Sequence, residues 1–406
     1  MEALTAGLAY CDRRGRIYFD ETAVPLADGG VVREAHADEL IAAPAGTMPM
    51  ILPQRHPLTA SGPASRRYAL AAALPAGYTR LLVPAYESEP DAPALPLFGY
   101  TFACVLNDTL HVAAMRTDES EDWLPRRFEP GQLEAVLDRR LAEDVENRVL
   151  AQVARCSREY GCFTAQNVFL ERGEAALPVS PRCNARCIGC ISEQEPQTHV
   201  PSPQERISYE ISAQELARVA IRHLERVDDG IVSFGQGCEG EPLLRSSAIA
   251  RAIDIIREKR RNGTINLNTN GSMPRALGTC IDAGLDAVRI SLNSFRPAVY
   301  AAYYRPIGYE LDDVLASARL AVERGLRVSL NLLTHPGVTD DAEEVAAAAA
   351  FLRNVPVAMV QTRTLNIDPE CYFAAVGRSR EPLGMRAALD AIRAAGAAVG
   401  NFTHTH

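Results

Sequence analysis

From about residue 174 onward the chain alternates short apolar runs with longer amphipathic stretches, and this alternation restricts the fold more than any other feature. Strand-like runs fall at 176–180, 231–235, 265–269, 287–293, 327–333 and 358–364. Helical periodicity fills the intervals near 212–227, 245–260, 273–284, 310–325 and 341–354, and a further helix near 384–396 follows the last strand. Strict β-α alternation predicts a parallel sheet wrapped by helices, as a barrel, a partial barrel or a doubly wound sheet. Side-chain alternation narrows the choice. Asn266, Asn268 and Asn270 share one face of the third strand against Ile265 and Leu267, and Arg289, Ser291 and Asn293 oppose Val288, Ile290 and Leu292 in the fourth. The fifth repeats this with Arg327, Ser329 and Asn331 against Val328, Leu330 and Leu332. A parallel strand covered on both sides should be nearly continuous Val, Ile and Leu, and a closed eight-stranded barrel fills its interior with branched apolar side chains. A solvated edge explains one such strand more readily than three in succession, so the pattern predicts a wet lumen able to hold a ligand.

Residues 1–130 read differently. They are Pro-rich and carry short strand signals at Arg16 to Phe19, Met48 to Leu52 and Thr79 to Val83, and a hairpin in which YTFACVL and TLHVAAM flank Asn107-Asp108. Residues 131–173 form a connector in which Leu133, Val136, Leu137, Leu141, Val145, Val149 and Val153 predict one long amphipathic helix. The expected fold class is α/β: six β-α units over 174–406 with a C-terminal helix, in one of those three architectures, preceded by the helical connector and a β-rich N-terminal domain.

Composition sets outer limits on function. Hydrophobic residues make up 47% and charged residues 23% of the 406, which excludes a wholly disordered or collagen-like chain. The net charge of -9 disfavours a cationic body that coats nucleic acid. No apolar run approaches the roughly 18 residues needed to span a bilayer, and the opening MEALTAGLAYCDRRGR has no secretory signal pattern. The expected location is cytoplasmic. In that reducing compartment the 10 cysteines are not expected to form structural disulfides, so closely spaced ones become candidates for metal or redox chemistry.

The segment PRCNARCIGCIS places Cys183, Cys187 and Cys190 in C-x3-C-x2-C spacing directly after the first strand of the alternating region. Three thiolates on so short a loop can wrap one corner of a metal centre, at the carboxyl mouth of the sheet where α/β folds bind ligands. Cysteine serves iron–sulfur clusters and zinc alike. Structural zinc needs a fourth donor, which His199 or Cys238 could supply; a four-iron cluster on three cysteines leaves one iron open. A non-catalytic or regulatory zinc protein is therefore the alternative to an enzyme.

Together these motifs resemble the radical S-adenosylmethionine enzymes, over roughly residues 174 to 370. Besides the cysteines, SFGQGCEGEPLL after the second strand is similar to the family's Gly-Gly-Glu-Pro segment, with Gly240, Glu241 and Pro242 at the matching positions. LNTNG, RISLNS and LNLLTHPGV follow on the third, fourth and fifth strands. The resemblance implies a partial (β/α)6 barrel over 174–406 and a [4Fe-4S] cluster on Cys183, Cys187 and Cys190, with S-adenosylmethionine bound by Gly240, Glu241, Pro242, Asn270, Ser291 and Asn293. It also implies reductive cleavage to a 5′-deoxyadenosyl radical, hydrogen abstraction from a substrate, and an external one-electron donor such as flavodoxin or ferredoxin. The substrate stays open among small molecules, peptides, RNA and a partner enzyme. Two positions depart from the family pattern: Gly189 stands where an aromatic residue often precedes the third cysteine, and Glu239 stands in place of the first glycine.

Other features carry bland and sharp readings side by side. GQGCEG is formally the dinucleotide fingerprint G-x-G-x-x-G, but Glu241-Pro242 interrupt the helix it requires and the next strand ends without an acidic residue. Cys238 and Cys371, near strand ends, could act as hydrogen-atom donors or ligands, although buried inert cysteine is commoner. Cys156 and Cys162 are expected to pack. Arg289 and Arg363 point toward the lumen, where either could clamp a substrate carboxylate or phosphate or form a structural ion pair. Asp368, before Pro369, is expected to initiate a turn, and Tyr300, Tyr303 and Tyr304 to pack or to shape the substrate mouth.

Overall fold

A computed structural model of the chain describes residues 6–95, 99–118, 130–194 and 201–402. His199 lies outside the described residues.

Seven parallel strands pair in chain order, β1 (Glu174–Leu177), β2 (Ile231–Phe234), β3 (Thr264–Thr269), β4 (Ala287–Leu292), β5 (Arg327–Leu333), β6 (Met359–Arg363) and β7 (Ala398–Gly400). Among the described residues β1 and β7 do not pair with each other, so the sheet is a partial barrel. Leu267, Val288, Ile290, Leu292, Leu330 and Leu332 are buried beneath the surrounding helices. On the opposite face Asn268, Ser291, Asn331 and Arg363 stay partly exposed, but Asn266, Arg289 and Ser329, which the strand pattern places on the same wet face, are buried, Asn266 donating to Ser233 Oγ (3.1 Å) and Arg289 pairing with Glu174. Apolar burial against helices drives the sheet's outer face inward into the core, while the polar face lines an accessible hollow.

Six of the seven strands coincide with the sequence reading to within a few residues. The seventh escaped it because Ala398–Gly400 lies in an Ala- and Gly-rich run without apolar alternation. The connector also differs from expectation. It consists of α1 (Pro130–Glu143), α2 (Arg148–Glu159) and α3 (Phe163–Leu170) rather than one long helix. Asn147 makes the break: its side-chain oxygen accepts from Val149 N (3.0 Å) and Leu150 N (3.3 Å), capping α2. Its amide reaches back to Asp144 Oδ2 at 2.8 Å. Val145, which fits the helical spacing, consequently sits in the turn and is 80% exposed. The barrel helices are α4 (Ala213–Arg226), α5 (Ser246–Lys259), α6 (Pro274–Asp282), α7 (Pro297–Tyr304), α8 (Leu311–Glu323), α9 (Ala342–Asn354), α10 (Pro369–Val376) and α11 (Met385–Ala394); α7 and α10 are short and were not foreseen.

The N-terminal part is β-rich, as expected, and built on an eight-stranded antiparallel sheet. Thr101–Leu106 and Thr109–Arg116 form the foreseen hairpin, and Asn107 (φ 50) and Asp108 (φ 58) adopt the left-handed conformation of a two-residue type I′ turn. The run Thr79 to Val83 divides instead between two sheets, as Tyr78–Arg80 and Val83–Pro84. Central strand Gly7–Cys11 gave no sequence signal.

Polar contacts seat this β-rich part on the β5–β7 side of the barrel. Arg55 Nη2 donates to Asp368 Oδ2 at 2.6 Å, both side chains almost wholly enclosed. The other Asp368 oxygen accepts from Glu370 N (3.0 Å) and caps α10, so this residue anchors an interface as well as the expected turn. Thr79 and Thr362 share a hydroxyl hydrogen bond of 2.7 Å, and Arg80 Nη2 donates to Thr334 O at 2.9 Å.

His335 lies in the same region, fully buried against Tyr372 and the edge of Phe373. Its Nδ1 donates to Pro336 O (2.7 Å), and Nε2 has no partner among the described residues. Burial, then the nearby Arg80 charge, holds this imidazole well below the ordinary histidine range. The unfolded chain takes up a proton near pH 6.5 that the folded chain refuses. Stability is therefore complete above that pH and falls below it, by up to about 1.4 kcal/mol per pH unit from this group. Urea midpoints at pH 5.5 and 7.5 should differ more for the natural chain than for His335→Phe; an equal difference would assign the acid sensitivity elsewhere.

Candidate metal and cofactor site

The loop carrying Cys183, Cys187 and Cys190 follows β1 and is gripped from two sides. On one side stands the segment after β2. Glu239 Oε2 accepts from Val179 N (2.8 Å) and Ser180 N (2.7 Å), while its Oε1 accepts from Gln236 N (2.7 Å). Gly240 N donates to Ser180 O (2.7 Å) and Glu241 N to Arg182 O (2.8 Å). The residue that departs from the family's first glycine is thus the clasp holding two loops together. Gly240 has no room for a side chain, because a Cβ there would collide with the Arg182 carbonyl and crowd Cys183 N. On the other side, Arg186 N donates to Tyr304 O (3.0 Å) and Ile188 N to Tyr303 O (3.1 Å), which ties the loop to the end of α7. Gly189 faces the Tyr303 hydroxyl, which would come within 2.8 Å of an added Cβ. An aromatic side chain at 189 therefore has no space here; Tyr303 fills it from the neighbouring helix.

The three thiols are partly buried. Burial, then the charges of Cys190 and Cys183, pushes the Cys187 thiol well up, and burial followed by Glu241 raises Cys183 to about 11. Arg206 Nη2 donates to Cys190 Sγ at 3.5 Å and its Nε to Ser192 Oγ at 3.1 Å, while its Nη1 pairs with Glu193, which places a cation shared between the thiol and that carboxylate at the loop. Among the described residues no three His, Cys, Asp or Glu side chains are gathered into a ready-made metal cage. Three thiols on one loop with mutual electrostatic influence suit a group that arrives with its own bridging ligands and needs only three protein donors. The zinc alternative loses one candidate donor: the buried Cys238 thiol interacts with Cys156 and, more weakly, Cys162, on the connector side.

The remaining candidates separate by what they touch. Glu241 is buried and occupied within the chain: Oε1 accepts from Leu243 N (2.9 Å) and Thr269 Oγ1, and Oε2 from Asn270 N (2.8 Å). Burial raises its carboxyl to about 7, and that of Glu239 to about 8, against the pull of these donors. Pro242 opens the short 3-10 turn that Glu241 caps. Asn270 donates from Nδ2 to Asn184 Oδ1 (2.9 Å), tying the end of β3 to the cysteine loop. Ser291 lies on the accessible face of β4. Asn293 is fully enclosed and donates to Val299 O (3.3 Å), steadying α7. Cys371 sits on α10, where burial and then Asp368 raise its thiol, on the side of the N-terminal interface. Arg289 forms an ion pair with Glu174 at 2.6 Å, the structural reading of that residue, whereas Arg363 meets neutral acceptors alone. Sequence reasoning missed Arg206, which lies in an aperiodic stretch, and the clasp role of Glu239, which only the fold reveals.

A thiol-bearing loop at the carboxyl mouth of an open, helix-wrapped parallel sheet defines a class of α/β proteins with a metal or cofactor centre at the strand ends. Residues 177–349 match the family model described as the Radical SAM superfamily. The superfamily's cofactors are a [4Fe-4S] cluster and S-adenosylmethionine. The chain is 25% identical over 204 residues to the FeMo cofactor biosynthesis protein NifB of Klebsiella pneumoniae, covering 44% of this chain and 42% of that protein. It is 32% identical over 187 residues to the GTP 3',8-cyclase of Heliobacterium modesticaldum, covering 45% and 51%. The chain thus spans about half the length of the curated relatives it matches. Among solved structures, a radical SAM methyltransferase from Sphaerobacter thermophilus aligns with a TM-score of 0.40 at 16% identity, over 57% of this chain and 67% of that one.

Proposed function

We propose that this chain is a radical S-adenosylmethionine enzyme in which Cys183, Cys187 and Cys190 hold a [4Fe-4S] cluster and the lumen takes the substrate. The observation that carries this reading is the pinning of three thiols on one loop between the β2 segment and α7. When bound, the cluster and S-adenosylmethionine supply reductive cleavage of the sulfonium to a 5′-deoxyadenosyl radical, which removes a hydrogen atom from the substrate. The protein's part is to position and to exclude water. Glu239 and Gly240 fix the entry of the cysteine loop, Tyr303 and Tyr304 fix its exit, and Arg206 offsets thiolate charge at Cys190. Gly240, Glu241 and Pro242, which shape the turn after β2, would hold the methionine end of the cofactor. Asn270 and Ser291 would hold its nucleoside, with Asn293 acting through its hold on α7. The reading divides the chain into a β-rich domain over 1–130, a connector over 131–173 and the radical SAM barrel over 174–406. An external one-electron donor such as flavodoxin or ferredoxin supplies the electron, and a reducing compartment, the cytoplasm, suits ten free cysteines.

Anaerobic reconstitution tests this. The natural chain should take up about four irons and four sulfides and yield methionine and 5′-deoxyadenosine on reduction, and Cys187→Ala should lose both properties. Stoichiometric zinc without broad visible absorbance would instead establish the zinc reading.

A further inference from the structure

Charges on the inner wall of the barrel do not balance locally. Arg289 is matched by Glu174. Arg363, at the carboxyl end of β6, has no carboxylate within ion-pair distance among the described residues, Glu174 and Asp118 exerting only a longer-range pull. It donates from Nε and Nη2 to Asn331 Oδ1 (3.3 and 3.2 Å), from Nη2 to Gln361 Oε1, and from Nη1 to Asn401 O (3.2 Å). Every acceptor is neutral, and a guanidinium carries five N–H donors, so one on Nη1 is left over. Burial and the like charge of Arg289 lower its pKa to about 10, which still leaves it charged at neutral pH. A charge kept in a sheltered hollow without a counter-ion is costly unless a ligand supplies one. Asn331 adds the second observation. It neighbours Gln361 in the β5–β6 register, it is partly exposed, and its side-chain amide donates to no group among the described residues. The arginine and the free amide are thus adjacent on the partly exposed wall, tied together through Asn331 Oδ1, and each has an N–H to spare.

We propose that Arg363 and the Asn331 amide receive an oxyanion of the substrate, a phosphate or a carboxylate. The inference rests on the reading that the lumen is the substrate site. It makes the substrate class anionic and separates Arg363, a binding group, from Arg289, a structural one.

Inorganic pyrophosphate and succinate serve as probes of the two oxyanions, titrated calorimetrically into the full-length chain before and after iron reconstitution. Protection of Arg363 from phenylglyoxal, read by peptide mass spectrometry, locates the binding. One probe should bind and protect Arg363, and Arg363→Gln should weaken it by about tenfold or more, the range for a lost charge-assisted hydrogen bond. Asn331→Asp guards against misfolding, since it places the missing counter-ion beside Arg363. It should abolish probe binding while leaving the thermal midpoint equal to or above that of the natural chain. S-adenosylmethionine retention by the reconstituted chain should be unchanged in Arg363→Gln. No binding of either probe, equal binding by either variant, or a matching loss of S-adenosylmethionine in Arg363→Gln would overturn the proposal; that last result would assign the arginine to the cofactor's own carboxylate. Because the probes are also titrated into iron-free protein, a failure of cluster assembly stays distinguishable from a failure of anion binding.

Discussion

Gly240→Ala is expected to abolish iron uptake and to lower the urea midpoint in the same protein. The added methyl would run into the Arg182 carbonyl, with Cys183 N close behind. Both obstacles are backbone, so no side-chain rotation relieves the clash. Either Gly240 N gives up its 2.7 Å bond to Ser180 O or the strand leading into the cysteines moves. Overpacking of this kind typically costs about 1–3 kcal/mol, and here the displaced segment is the one that carries Cys183. Iron per chain after anaerobic reconstitution and the unfolding midpoint should fall together. Gly325→Ala is a poor control because Gly325 has φ +78, whereas Gly131, with open space around it, should tolerate alanine with full iron content. Retention of iron by Gly240→Ala would show that the clasp between the two loops does not position the thiols.

The second large effect is expected at Arg55 and Asp368. Both side chains are almost wholly enclosed, and Asp368 also accepts Leu95 N (3.1 Å) and caps α10. Arg55→Met leaves a carboxylate buried without its partner, which should destabilise the chain by about 3–5 kcal/mol. Arg55→Met combined with Asp368→Asn removes the stranded charge and should recover a large part of that loss. The pair of urea denaturation curves measures this asymmetry; a double variant no more stable than Arg55→Met would mean that hydrogen bonds to Pro53, Pro93 and Leu95, not charge burial, dominate the interface.

Much of the barrel was legible because its signal is local. The alternation Asn266, Leu267, Asn268 and its counterparts at 288–292 and 328–332 specify strand, face and polarity at once; the apolar set is buried, whereas of the polar set Asn268, Ser291 and Asn331 are partly exposed and Asn266, Arg289 and Ser329 are enclosed by their neighbours, which spacing along one strand cannot show. The three cysteines were legible for the same reason, since their spacing fits one short loop. What stayed hidden depends on contacts between distant segments. Glu239 looks like a departure from a motif until Val179 and Ser180, some sixty positions earlier, are seen donating to it. Asp368 reads as a turn residue until Arg55 arrives from the N-terminal part. Asn147 was legible in principle: an asparagine inside an apolar heptad is a preferred cap, yet seven periodic apolar residues outweighed it. Arg289 and Arg363 carried identical sequence signals and diverged in the fold because β1 happens to bring Glu174 to only one of them.

One consequence of the two-faced strands concerns how this scaffold can change. Cohesion between sheet and helices comes from the leucines, isoleucines and valines on the convex side, so apart from the enclosed Arg289–Glu174 pair and Asn270 the partly exposed concave lining contributes little to holding the architecture up. Exchanging one hydrophilic side chain for another along that lining alters which molecule is accommodated while the frame persists, and specificity can drift in such a protein at small expense to its integrity.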